Sequence, residues 1–159
     1  MLTLNDLPPG YSMDPAKSTD EKRFCDYKSP AQPQVSVSHD FTKGGGLSTV
    51  SATTVLRQYA SPAAVHGEFA AMVKTLKTCK SETINGHKGT YSLMSAPHLG
   101  DESAGVRVDV EGATVLEYFV ADGPTLVTVG IVGLVNSDVD QLGNLLRKQV
   151  AAYEDAASR

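Results

Sequence analysis

The chain has no tryptophan, and aromatic residues make up only 6% of its 159 positions. A core built from it must therefore rest on Val, Leu, Ile and Ala. It has no run of basic residues longer than Lys22-Arg23 or Arg147-Lys148, and 14 Lys and Arg are outnumbered by 18 Asp and Glu. That balance argues against nucleic acid and against an anionic membrane surface, both of which call for clustered positive charge. The longest apolar run, from Leu126 to Val135, is half the ~20 residues needed to span a bilayer. The start, Met1-Leu2-Thr3-Leu4-Asn5-Asp6, has neither the basic region nor the apolar run of a signal peptide. It reads either as a cytosolic protein or as a mature chain with an added start methionine.

Catalytic signatures are equally scarce. The four histidines, His39, His66, His87 and His98, show no metal-ligand spacing, and no GxSxG turn offers a serine nucleophile. Gly45-Gly46-Leu47-Ser48-Thr49 lacks the lysine of a phosphate loop and leads into a strand, not into a helix whose amides would bind phosphate. Adjacent carboxylates, Asp20-Glu21 and Asp101-Glu102, read as solvated loop residues. An enzyme would have to assemble its site from scattered groups such as His98, Asp101 and Ser103. No cofactor is implied. The two cysteines, Cys25 and Cys79, fit two free thiols, one disulfide or, least well, a metal site.

What is present is a clear succession of elements in one domain, 1–159. Residues 1–33 read as irregular, with Leu2, Leu4 and Leu7 available to tuck against a core. Val35, Val37, His39 and Phe41 alternate with polar residues, which predicts a half-buried strand. A second strand runs from Ser48 to Tyr59, with a bulge or bend expected near Thr53-Thr54-Val55. Ser61 and Pro62 open a helix whose stripe is Val65, Phe69, Met72, Val73 and Leu76. Strands at 81–84 and 89–95 flank the hairpin signal Asn85-Gly86. After a loop from Pro97 to Ala104 come strands at 106–110, 114–121 and 125–135, the last covered on both faces. A second helix starts at Asn136 or Ser137 and runs to about Ala157, with Val139, Leu142, Leu146, Val150 and Tyr153 inward.

The order β-β-α-β-β-β-β-β-α, dominated by hairpins, predicts an α+β fold: an antiparallel sheet with two helices packed on one face. In the 106–121 hairpin, setting Val110 opposite Thr114 gathers the apolar residues on one face and places Arg107 opposite Glu117. The uncovered polar sheet face would then be a binding surface. Arg107, Asp109 and Glu117 are its candidate ligand-binding residues, with Thr90 and Ser92 beside them.

Two segments carry a family resemblance. Leu4-Asn5-Asp6-Leu7-Pro8-Pro9-Gly10-Tyr11 resembles the opening of many secreted actinobacterial lipoproteins, and Leu99-Gly100-Asp101-Glu102-Ser103-Ala104 resembles their recurrent turn before a strand. With the placement of the cysteines and the order of elements, the chain is similar to the extracellular sensor domain of mycobacterial PknH-type kinases and their free-standing lipoprotein relatives. The resemblance implies an extracytoplasmic domain held to the outer face of the cell membrane by a lipid or a helix. It also implies a Cys25–Cys79 disulfide, a cleft for a small molecule or envelope component, and no catalytic residues. This chain departs from the kinase sensor in having one possible bridge and no kinase. The alternative function is a structural or protein-interaction module of the cell envelope.

Overall fold

Gln149, in a helix near the end of the chain, accepts a hydrogen bond from the backbone N–H of Leu2 at its beginning (2.8 Å) and another from the Thr54 hydroxyl in mid-chain (2.9 Å). The computed structural model describes residues 1–15, 24–84, 86–133 and 138–159. Eight strands form one antiparallel sheet: β1 (Tyr11–Met13), β2 (Val35–Lys43), β3 (Val50–Gln58), β4 (Ser81–Ile84), β5 (His87–Met94), β6 (Glu102–Val110), β7 (Ala113–Asp122) and β8 (Thr125–Gly133). Their spatial order is β1-β2-β3-β8-β7-β6-β5-β4. Two helices complete the fold, α1 (Pro62–Thr78) and α2 (Val139–Ala157). The α+β class and the order of seven strands and two helices are as the sequence predicts. An eighth strand, β1, lies in the segment expected to be irregular.

The local reasons are visible at each helix. The Ser61 hydroxyl caps α1 by accepting from the Ala64 N–H, Pro62 takes the first helical position, and Lys77 lies in the last turn, where the helix dipole favours a cation. Val65, Phe69, Met72 and Leu76 are its buried stripe. The Asp138 carboxylate caps α2 through the N–H groups of Asp140 and Gln141. The helix thus begins at Val139; the expected start at Asn136 or Ser137 falls outside the described residues. Leu142, Leu145, Leu146 and Val150 are buried beneath α2, whereas Val139, expected in that stripe, is exposed.

The two helices lie on opposite faces of the sheet, not on one. Leu116, Tyr118 and Val120 of β7, with Val127, Val129 and Ile131 of β8, pack under α2 together with Leu2, Leu7 and Phe41. The alternate residues Phe119, Ala121 and Leu126 pack with Val106, Val108 and Tyr91 under α1. Successive side chains of a strand point to opposite faces. Strands β7 and β8 are therefore the middle layer of a helix–sheet–helix sandwich, and β8 is covered on both faces as expected. A short connection sets where a helix begins, but not which face it crosses.

This double coverage also corrects the predicted register. Val110 pairs with Ala113, so Arg107 faces Leu116 and Glu117 faces Val106, one residue away from the expected alignment. Glu111 and Gly112 form a two-residue turn, with Gly112 at φ +75°. Strand β7 carries apolar residues on both faces, so Val108 finds an apolar partner in either register, Leu116 in the expected one and Val115 in the observed one, and apolar pattern alone cannot choose. The tighter turn does. Strand β3 likewise runs in unbroken register with β2 and β8. The irregular Thr53-Thr54-Val55 pattern is no bulge: Thr54 faces α2, fully buried, because Gln149 accepts its hydroxyl proton. On β2 only Phe41 of the alternating set is buried, while Val35 and Val37 are 52% and 43% exposed. Strand β6 starts at Glu102, inside the expected 97–104 loop. Of the Asn85-Gly86 turn, Asn85 lies outside the described residues.

Cys25 and Cys79 form a disulfide, with Cα atoms 6.1 Å apart. It ties the N-terminal segment to the end of α1, and the Cys25 N–H donates to the Glu82 carboxylate on β4 at 3.1 Å.

Candidate functional site

The three residues singled out on the sheet do not form one site. Arg107 and Asp109 lie on the α2 side of β6, beyond the reach of α2. Arg107 Nε donates to Asp109 Oδ2 (2.8 Å), its terminal nitrogen donates to Oδ1 (2.8 Å), and the Thr114 hydroxyl donates to the same Oδ1 (2.9 Å). These hydrogen bonds hold the Asp109 carboxyl below its ordinary range and raise Arg107. The pair is exposed and satisfies itself. Thr90 faces Asp109 and Ser92 faces Arg107 across the β5–β6 ladder, so both share that surface. Glu117 is on the α1 side.

Glu117 has more unusual surroundings. Its ladder partners are Val106 and Gly130. A Cβ at Gly130 would lie 3.2 Å from Thr53 Cγ2 and 3.6 Å from Glu117 Cγ, so the glycine lets both flanking side chains lean across β8. Thr53 donates to Asp40 on β2 at 2.6 Å. Burial pushes the Glu117 carboxyl up to about 7, opposed by the positive charge of Arg57 on β3. Burial also lowers Arg57, while Tyr59, Glu117 and Glu68 act in the other direction. Between the ladder rows of Arg57 and Glu117 sits Thr128, 2% exposed, whose hydroxyl has no hydrogen-bond partner among the described residues. Glu68, buried on α1, accepts from the Ser29 hydroxyl, and its carbonyl accepts from Tyr27 Oη at 3.2 Å. Tyr91 donates to the Glu82 carboxylate, and burial raises its phenol further.

Concave space lies elsewhere. A cleft of about 680 Å³ runs between the N-terminal segment and α2, lined by Asp6, Pro8, Asp138, Gln141, Asn144 and Lys148 among others. A smaller cavity of about 140 Å³ adjoins it, sharing Pro8, Asp138 and Gln141 and reaching Tyr11 and Ile131. The walls are braced: Lys148 donates to the Asp6 carbonyl (2.6 Å), Gln141 donates to Tyr11 Oη (3.3 Å), and Asp6 accepts from the N–H and hydroxyl of Thr3. The Thr3 hydrogen bonds lower the Asp6 pKa. A third space of about 340 Å³, lined by Val73, Leu93, Met94, His98 and Ser103, opens where β5 outruns β4. Sequence reasoning missed all three, because each forms between segments distant along the chain. Only the Leu2, Leu4, Leu7 spacing pointed to the N-terminal wall; of these, Leu2 and Leu7 are buried and Leu4 is exposed.

The scattered groups considered for an enzyme do not converge. His98 and Ser103 share the third cavity, but Asp101 accepts from the Gly123 N–H (2.9 Å) and lies 3.9 Å from His66 instead. His66 pairs with Glu102 at 2.9 Å, and that hydrogen bond raises its pKa. Among the described residues no group of three His, Cys, Asp or Glu side chains is placed to hold a metal ion, and no helix is long and apolar enough to cross a membrane.

No family model matches the sequence, and no curated protein matches it. Among solved structures, the crystal structure of the extracellular domain of PknH from Mycobacterium tuberculosis is similar, with a TM-score of 0.58 at 14% identity. The match covers 76% of this chain and 64% of that domain, so the present chain spans under two thirds of its length. At that identity the likeness shows a shared fold.

Proposed function

We propose that the chain is a non-enzymatic, extracytoplasmic, sensor-like domain that binds a small molecule or envelope component in the cleft between its N-terminal segment and α2. The observation that carries this reading is the cleft itself, whose volume of about 680 Å³ lies within the range of small-molecule sites. Its lining mixes amide, carboxylate and ammonium groups, which recognise a polar ligand. The Cys25–Cys79 disulfide supports an oxidising compartment. The fold shared with the extracellular domain of a mycobacterial kinase supports the same location. Attachment to the outer face of the membrane as a lipoprotein, implied by the opening motif, belongs to this proposal.

A thermal-shift screen of envelope glycans, lipids and small metabolites tests it, run on the natural chain and on Asn144→Trp. Asn144 is exposed on the cleft wall, so the indole fills the cleft without disturbing the core. The expected result is a stabilising compound for the natural chain that the variant no longer binds. A screen without hits, or hits indifferent to the variant, removes the reading. One observation favours an interaction module instead: Val35 and Val37 are both exposed on the same face of β2. Capture of a stable protein partner that Val35→Lys/Val37→Lys abolishes would establish it.

A further inference from the structure

Resting on the cleft beside α2 as the binding site, we propose that its ligand is a short peptide with free ends, about three or four residues long. Its ammonium end lies towards Asp138 and Asp140, and its carboxylate end towards Arg147 and Lys148. The ground for this is the order of the lining along the helix. One row of α2 brings Asp138, Gln141 and Lys148 to the cleft, and the next brings Asp140, Asn144 and Arg147. In each row an acid stands first, an amide in the middle and a base last. The helix dipole explains acids at the start of α2, but not the bases. The helix runs on to Ala157, and its last turn holds no basic residue. Arg147 and Lys148 are thus placed by what they face.

The other charged groups of the lining keep this polarity. Lys43, in the adjoining cavity, lies over the Tyr11 ring at 5.8 Å, so at the acidic end two carboxylates face one ammonium. At the basic end Asp6 stands against two cations. Its Oδ2 accepts from the Thr3 N–H and hydroxyl, and Lys148 donates to its carbonyl. Each end is left with one net charge, of opposite sign. A simple cation or anion would be repelled by one of them, and a neutral ligand would answer neither. The middle decides which zwitterion fits. The Gln141 amide nitrogen donates to Tyr11 Oη, which leaves its oxygen to accept. The Asn144 oxygen accepts from Arg147 (3.3 Å), which leaves its nitrogen to donate. One acceptor and one donor between the charged ends match the N–H and C=O of a peptide group. At a rise of about 1.5 Å per residue, Asp140 and Arg147 lie about 10 Å apart along α2, and Asp138 and Lys148 about 15 Å. An extended chain covers at most ~3.3–3.6 Å per residue, so about three or four residues bridge the two ends.

Calorimetric titration of the intact chain with tetraalanine tests this, beside dialanine, N-acetyl-tetraalanine and tetraalanine amide. The expected result is saturable binding of tetraalanine, weakened about tenfold by blocking either end or by shortening to dialanine, since each loses a charge-assisted contact. Two variants assign the ends, at side chains exposed enough to leave the fold intact. Arg147→Gln makes amidation indifferent while acetylation still weakens binding. Asp140→Asn makes acetylation indifferent while amidation still weakens it. Asn144→Trp abolishes binding. Equal binding of free and blocked peptides, end effects that neither variant removes, or no binding of tetraalanine overturns the proposal. The cleft itself is judged separately. Where tetraalanine fails but the thermal-shift screen yields another compound that Asn144→Trp abolishes, the peptide is wrong and the cleft stands; where neither binds, both fall.

Discussion

On the α2 side of the sheet two fully buried polar side chains, Gln149 and Thr54, sit among leucines and valines, and the Gln149 oxygen accepts from both Leu2 and Thr54. On the α1 side Glu68, Glu82, Glu117 and Arg57 share the space with Phe69, Met72 and Tyr91, and a disulfide closes one end. The difference teaches where each kind of cohesion comes from. Under α2, apolar burial dominates and the Gln149 oxygen is satisfied, while at the end of β7 one Asp122 carboxylate oxygen is buried without a partner among the described residues. Under α1, charges are held at a cost and a covalent bond secures the N-terminal segment. Ionisable groups placed where burial penalises them are candidates for a task other than stability.

The comparison can be broken most forcefully at the disulfide. Replacing both Cys25 and Cys79 with Ala frees a loop of 54 residues and is expected to lower stability by about 4 kcal/mol in the chain-entropy model. Urea unfolding with and without reductant measures it; equal midpoints would mean the bridge holds nothing. Next, Leu146→Ala removes a fully buried side chain under α2 and is expected to cost about 3 kcal/mol. Gln149→Leu keeps the volume but leaves the Leu2 N–H and Thr54 hydroxyl without their acceptor, with an expected loss of roughly 2 kcal/mol. Hydrogen exchange should then rise at residues 2–7 before anywhere on α1.

The last effect is a slope. Glu117 is raised from an ordinary value of 4.5 to about 7 by burial, so the folded chain holds its proton where the unfolded chain has lost it. Its contribution to stability is complete below 4.5, declines as the pH rises towards 7, and stays lost above that. Glu117→Gln is expected to flatten this decline in unfolding free energy measured between pH 4.5 and 8. No change of slope would place the Glu117 carboxyl in ordinary solvent.

Much of the fold was legible because its signals are local. Ser61-Pro62 marks the start of α1, and Asp122-Gly123-Pro124 turns β7 into β8, without help from the rest of the chain. What could not be read depends on how those pieces meet. Val108 finds an apolar partner in either register against a strand with apolar residues on both faces, and a one-residue slip separates Arg107 from Glu117. A short connection does not say which side of the sheet a helix takes. Thr54 breaks an alternation only because a glutamine 95 residues later accepts its proton. The candidate site was least legible: Glu117 stood out as a charge on a strand, but Thr128 and Arg57 become its companions only through the ladder that joins β3, β8 and β7.

The hold of Gln149 on Leu2 fixes the direction from which the molecule hangs. The chain enters on the α2 side, beneath the wide cleft, while Glu117 and Thr128 look the opposite way. A protein immobilised on a sensor chip through its first residue would therefore turn its charged face to the flowing solution and its cleft toward the support. Capture through Arg159, just past the end of α2 on that same side, presents the charged face in the same way.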